Sequence, residues 1–123
     1  MNNVVLCIGS NTPGRGDIIS TVISKLRIFM KNMRQSSVYE CETHSGIGNT
    51  YFNTVVKCET SLTFDEIYDF TKAMEREMGR TPESKITGVM PLDIDIVLWN
   101  ETVIHPQDFT LYHFRHGYEQ IFE

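Results

Sequence analysis

Short apolar runs and stretches whose apolar residues return every three or four positions alternate along the chain, and these two periods sort it into strands and helices. Val4 to Ile8 is a continuous apolar run closed by Gly9-Ser10-Asn11, which predicts a strand buried on both faces and a loop after it. Beyond the Pro13-Gly14 turn, Asp17 can cap a helix in which Ile18, Val22, Leu26, Phe29 and Met33 share one side, and the pattern predicts that helix over about residues 15–33. Ser36 to Glu42 is a short strand candidate, and Thr43 to Thr50 reads as a polar loop containing Gly46 and Gly48. From Tyr51 to Glu59 the chain alternates, with Tyr51, Asn53, Val55 and Lys57 on one face and Phe52, Thr54, Val56 and Cys58 on the other.

The second helix carries the clearest local signature. Thr63 with Glu66 three residues on forms a capping box, Leu62 can staple onto Ile67, and the stripe of Ile67, Phe70, Met74 and Met78 runs until Gly79 stops it. Arg80 to Pro91 is polar and irregular, long enough to serve as a functional loop. Leu92 to Trp99 is the last clear strand, and Asn100 to Glu123 gives mixed signals that admit a short terminal helix or strand. The order strand, helix, strand, strand, helix, strand predicts an α+β, ferredoxin-like βαββαβ sandwich: an antiparallel sheet with two helices on one face and the other face left for ligands. One domain over residues 1–123 is expected.

Composition narrows the partners. A net charge of −5 argues against a nucleic-acid backbone, which needs a surplus of Lys and Arg on one face. Cys7, Cys41 and Cys58 make an odd count without zinc spacing and suit free thiols in a reducing, cytoplasmic setting. The N-terminal apolar run is too short for a signal peptide or a membrane span. Nothing in the sequence fixes an oligomeric state.

The candidate chemistry gathers on two strands. In Leu92-Asp93-Ile94-Asp95-Ile96-Val97-Leu98-Trp99, the period of two turns Leu92, Ile94, Ile96 and Leu98 toward the helices and Asp93, Asp95, Val97 and Trp99 away from them. Carboxylates two apart on a strand lie roughly 7 Å apart at the Cα atoms, close enough to share one metal or bracket two, and they repel each other without a cation. The same face is expected to carry Tyr51 and Asn53, an aromatic plate beside an amide, which suits a flat heterocycle with hydrogen-bonding edges. Each feature also has a plain reading, as the solvent face of a strand and an edge aromatic with a turn residue.

Ile8-Gly9-Ser10-Asn11, Tyr51-Phe52-Asn53-Thr54-Val55, Glu75 with Gly79-Arg80, and Leu92-Asp93-Ile94-Asp95-Ile96 together resemble the 6-hydroxymethyl-7,8-dihydropterin pyrophosphokinase family of the folate pathway, in order and at nearly its spacing. The resemblance implies transfer of pyrophosphate from ATP to the hydroxymethyl group of a reduced pterin, with AMP leaving. It places two Mg²⁺ ions on Asp93 and Asp95, phosphate contacts on Arg80, and the pterin on Tyr51 and Asn53. It further implies nucleotide-side roles for Glu75 and His113 and a pterin contact for Tyr118, through Gly117-Tyr118. Ser10 and Asn11 fall in a segment of the family that looks structural. Met90 and Pro82 stand where the family's loop carries arginines and Thr87 where it carries a tryptophan, and the family's final stretch has no counterpart. A second expectation follows from these departures: a homologue that binds nucleotide or pterin without turnover.

Overall fold

The structure is a computed structural model, and it describes residues 1–42 and 48–122. In chain order the elements are β1 (Asn2–Ser10), α1 (Arg15–Leu26), β2 (Lys31–Gln35), β3 (Tyr39–Cys41), β4 (Tyr51–Thr60), α2 (Phe64–Glu77), the single turn α3 (Ser84–Thr87), β5 (Asp93–Trp99), β6 (Thr102–Val103), a 3₁₀ turn (Pro106–Thr110) and α4 (Tyr112–Ile121). The sheet runs β2-β4-β1-β5-β6, with β3 also on β4, and every pairing is antiparallel. This is the expected ferredoxin-like order, with the apolar strand β1 at the centre, buried from Val4 to Ser10.

Val4, Leu6 and Ile8 of β1 point into a core closed by Ile19, Val22 and Leu26 of α1 and Ile67 and Met74 of α2. The capping box forms: Thr63 Oγ1 accepts from the Glu66 N–H at 3.2 Å, and Glu66 Oε1 accepts from the Thr63 N–H at 3.0 Å. At the other end Gly79 takes φ 103°, a left-handed stop that lets the Arg80 N–H return to the Glu75 carbonyl at 3.0 Å.

Five sequence expectations change, the first being the cap of α1, where Gly14 and not Asp17 stands and no side chain caps the helix. The first helix ends at Leu26 rather than near residue 33; Phe29 and Met33 do reach the same core, from the following turn and from β2. The apolar period therefore ran on past the helix that produced it. Asn32, at φ 52°, lies inside β2 where the register with β4 shifts between Lys31 and Arg34. The expected strand over 36–42 is instead an edge strand broken in two. At the break the Ser36 N–H donates to the Val55 carbonyl, and Ser36 Oγ accepts from the Val55 N–H at 2.9 Å. In β5 the partners of β1 jump from Ile96 to Leu98, so Val97 is bulged. Beyond that bulge the faces exchange: Leu98 turns to the side of Val5, and Trp99 turns to the helices, edge-on to Phe64 at 5.4 Å.

The largest change concerns the second sheet face. The C-terminal segment supplies both candidates for its structure, β6 on the sheet edge and α4 across the face, where Phe114 and Ile121 pack on Val5, Cys7, Val55 and Val97. The approach is close at Gly117, whose missing Cβ would stand 2.7 Å from Val55 Cγ2 and 2.8 Å from the Tyr39 hydroxyl. The face left for ligands shrinks to one end of the sheet. The expected loop over 43–50 lies outside the described residues from 43 to 47.

Candidate functional site

Strand register builds the site. Tyr39 of β3, Asn53 of β4, Gly9 of β1 and Asp93 of β5 stand side by side across four strands, with Cys41 and Tyr51 in the next row outward. Gly9 matters because it is bare: a Cβ there would come within 2.5 Å of Asn53 Oδ1. The strip between the Asn53 amide and the Asp93 carboxylate is thereby kept open. Over this floor lies a cavity of about 590 Å³ lined by Gly9, Tyr51, Asn53 and Asp93 from the sheet, Cys41 with Glu40, Glu42 and Thr50 at its rim, and Leu111, Tyr112 and His113 from the start of α4. That size suits a ligand of a few hundred daltons.

Asp95 lies one row inward, opposite Cys7, under the C-terminal segment, and does not line the cavity. Burial, then Asp93 and Asp108, push its carboxyl up to about 6, while His105 and Lys72 pull the other way. The Cys7 thiol is pushed well up by burial and then by Asp95 and Asp93, so it stays protonated. Tyr51 is shifted upward by burial and then by Asp93. In all three burial is the larger cause, and the neighbouring carboxylates add to it. His113 joins the C-terminal segment to this end of the sheet: its carbonyl accepts from the Tyr39 hydroxyl at 2.6 Å, and its Nε2 stands 3.8 Å from Asp108 Oδ1.

Behind Asp93 sits a buried carboxylate, Glu75, held from three sides. Its Oε1 meets Lys72 Nζ at 3.1 Å, and its Oε2 accepts from the Ile94 N–H at 2.8 Å and forms an ion pair with Arg80 Nη1 at 2.9 Å. The same Nη1 reaches Asp93 Oδ1 at 3.1 Å and the Leu92 carbonyl at 3.3 Å. Arg80 is no solvated charge: its side chain is 18% exposed and bridges two carboxylates. The 80–91 loop is fastened by Asn11, whose Nδ2 donates to the Gly88 carbonyl at 2.7 Å and whose Oδ1 accepts from the Met90 N–H at 2.6 Å.

The structure therefore brings Tyr51, Asn53, Asp93 and His113 to one cavity, with Arg80 and Glu75 behind Asp93 and Asp95 one row inward. Tyr118 is placed elsewhere: on α4 it packs among Phe109, Phe114 and Phe122 and borders a separate cleft with Arg115 and Glu119. The helical period explains this, since Phe114, Tyr118 and Phe122 are four apart and share a face. Sequence reasoning missed Tyr112, Cys41 and Lys72. Cys41 had a signal, the two-residue step back to Tyr39 on a strand facing Tyr51 and Asn53; Tyr112 had none without the position of α4.

The model of the 7,8-dihydro-6-hydroxymethylpterin-pyrophosphokinase family matches residues 5–116. The chain belongs to this family. It is 37% identical over 106 residues to the 2-amino-4-hydroxy-6-hydroxymethyldihydropteridine pyrophosphokinase of Aquifex aeolicus, covering 85% of this chain and 65% of that protein. It is 30% identical to the Bacillus subtilis protein of the same name over 99% of this chain and 74% of the other. A folate synthesis bifunctional protein of Arabidopsis thaliana matches at 28% over 80% of this chain but 21% of its own length. As a pyrophosphokinase-family fold, the chain has no helix among its described residues long and apolar enough to cross a membrane.

The donor set suits the hard cation expected in such a fold. Asp93 and Asp95 offer oxygen ligands alone, and the upward push on Asp95, which comes first from burial and then from Asp93, includes a repulsion that a cation would relieve. Among the described residues no group of three or more His, Cys, Asp or Glu side chains converges to hold a metal unaided. Mg²⁺ is commonly bound by one or two carboxylates completed by waters and substrate phosphates, which matches this pair.

Proposed function

We propose that the protein transfers the pyrophosphoryl group of ATP to the hydroxymethyl group of 6-hydroxymethyl-7,8-dihydropterin, with AMP leaving, as a Mg²⁺-dependent step of folate biosynthesis in the cytoplasm. The observation that carries this reading is the row Asn53-Gly9-Asp93, which sets a hydrogen-bonding amide, a bare strip of backbone and a carboxylate in one cavity. Tyr51 offers its ring to the face of the heterocycle and Asn53 its amide to the edge, and Gly9 leaves the ring room to lie between them and Asp93. Tyr118 takes no part in this assignment, and Leu111 and Tyr112 close the pocket from the side of α4.

Asp93 and Asp95 would hold the metal, expected as two ions, which when bound neutralises phosphate charge and favours in-line displacement at the β-phosphorus. Arg80 is placed to meet phosphate oxygens close to Asp93, and Glu75 fixes the guanidinium from behind. His113, at the cavity edge, is available to the nucleotide. An AMP-release assay with ATP, the pterin and Mg²⁺ tests the reading: wild-type protein forms AMP and Asp95→Asn falls to background. Background AMP from the wild type with no binding of either substrate sinks it.

One observation favours a second reading. None of the described cavity-lining residues is Lys or Arg, and Met90 is buried with both backbone polar groups tied to Asn11. Phosphoryl transfer depends on cations around the phosphates, often for several orders of magnitude in rate. A homologue that binds ATP or pterin and does not turn over would show Mg²⁺-dependent binding in calorimetry with no AMP.

A further inference from the structure

Arg80 is the cation that the structure already sets against Asp93. Its Nη1 makes contacts at 2.9 Å to Glu75 Oε2, 3.1 Å to Asp93 Oδ1 and 3.3 Å to the Leu92 carbonyl. A guanidinium NH₂ carries two hydrogens, and they go to Asp93 Oδ1 and the Leu92 carbonyl, while Glu75 is held by charge as an ion pair. Among the described residues, no hydrogen bond engages Nε or Nη2, which leaves the other edge of the fork uncommitted. The two carboxylates also differ. Glu75 is buried to 3% exposure and already takes the Ile94 N–H and Lys72, whereas the Asp93 side chain is 39% exposed and faces the cavity. Arg80 is paired with both, and the Asp93 side of the bridge is the one open to the cavity.

We propose that Arg80 is the resident counter-ion of Asp93, tethered by Glu75, and that its contact with Asp93 and the binding of a divalent cation there exclude each other. The inference rests on the reading of Asp93 and Asp95 as a metal site. When Asp93 turns to another cation, Arg80 keeps its ion pair with Glu75, and its Nε–Nη2 edge is the part available to an anion beside the metal. The contact then couples metal binding to the readiness of Arg80 for phosphate. It also limits the repulsion between Asp93 and Asp95 while the site waits for its ligands.

Mn²⁺ alone, without nucleotide, tests this, because it is a hard oxygen-seeking ion whose free fraction is read by electron paramagnetic resonance. Arg80→Ala is expected to bind Mn²⁺ roughly five- to tenfold more tightly than wild type, since a charge-assisted competitor is removed. The same variant is expected to bind Mg-ATP more weakly, so the two probes move in opposite directions. Lys72→Met is the control: Lys72 touches the far oxygen of Glu75 but not Asp93, and its removal should shift Mn²⁺ binding by about twofold at most. If Arg80→Ala fails to fold, as a thermal melt would show, Arg80→Gln replaces it. Equal shifts in the Arg80 and Lys72 variants, or no tightening in the Arg80 variant, overturn the proposal while leaving the metal site intact. Wild-type protein that binds no Mn²⁺ removable by Asp95→Asn overturns both.

Discussion

Asp95→Asn offers a test in which stability and function should part. The Asp95 carboxyl is pushed up to about 6 by burial and by Asp93 and Asp108, so ionising it costs more in the fold than in the unfolded chain. The sign follows from proton counts. Below about pH 4 the carboxyl is protonated in both states and adds nothing; between about 4 and 6 the folded state holds the extra proton and stability falls as pH rises; above about 6 the full penalty is in place. A shift of about two pKa units corresponds to about 3 kcal/mol, and partial exposure with coupling to Asp93 reduces this to about 1–2 kcal/mol. Asparagine keeps the shape without the charge. In metal-free buffer at pH 8, Asp95→Asn should therefore melt several degrees above wild type, about 4 °C per kcal/mol for a domain of this size. At pH 4 the gain should vanish. Scanning calorimetry at the two pH values, without metal, measures both. An Asp95→Asn protein no more stable than wild type at pH 8, or stabilised equally at pH 4, would refute the reasoning.

Gly117→Ala should destabilise by about 1–3 kcal/mol in chemical denaturation despite alanine's better helix propensity, because its Cβ would meet Val55 and Tyr39 inside 3 Å. Gly9→Ala should leave the fold near native, by circular dichroism, and weaken pterin binding in calorimetry by an order of magnitude or more, since the new methyl displaces the Asn53 amide. Asn11→Ala removes two bonds to the 80–91 loop and should cost about 2–3 kcal/mol, with faster proteolysis in that loop as a second readout. Thr63→Ala takes out the capping box for about 1 kcal/mol in thermal melting and should leave the site untouched.

The central scaffold could be read from the chain because each of its signals is local. The apolar run of β1, the alternation of β4 and the Thr63-Glu66 box each name their element without help from elsewhere. Period-two alternation likewise put Tyr51, Asn53, Asp93 and Asp95 on one face, and the register joins them through Gly9. Three features could not be read so. The Val97 bulge reverses the faces of Leu98 and Trp99, and only pairing with β1 reveals it. Phe29 and Met33 continue the helical period from a turn and a strand, since a core accepts apolar side chains from any backbone. The ion pairs of Arg80 are made with Glu75 across the turn at Gly79 and with Asp93 on another element, so no local pattern shows them. The shift of Tyr118 away from the pocket has the same origin: α4 is positioned by contact at Gly117, which nothing adjacent in sequence announces.

The account stands on Asp93 and Asp95 serving a pyrophosphoryl transfer beside a pterin. The most direct measurement follows AMP and pterin pyrophosphate together, from ATP, 6-hydroxymethyl-7,8-dihydropterin and Mg²⁺, with wild-type and Asp95→Asn protein. The account predicts equal amounts of the two products from the wild type, and neither from Asp95→Asn nor from either protein with the metal chelated. ADP in place of AMP, or product formation undiminished in Asp95→Asn, would contradict it.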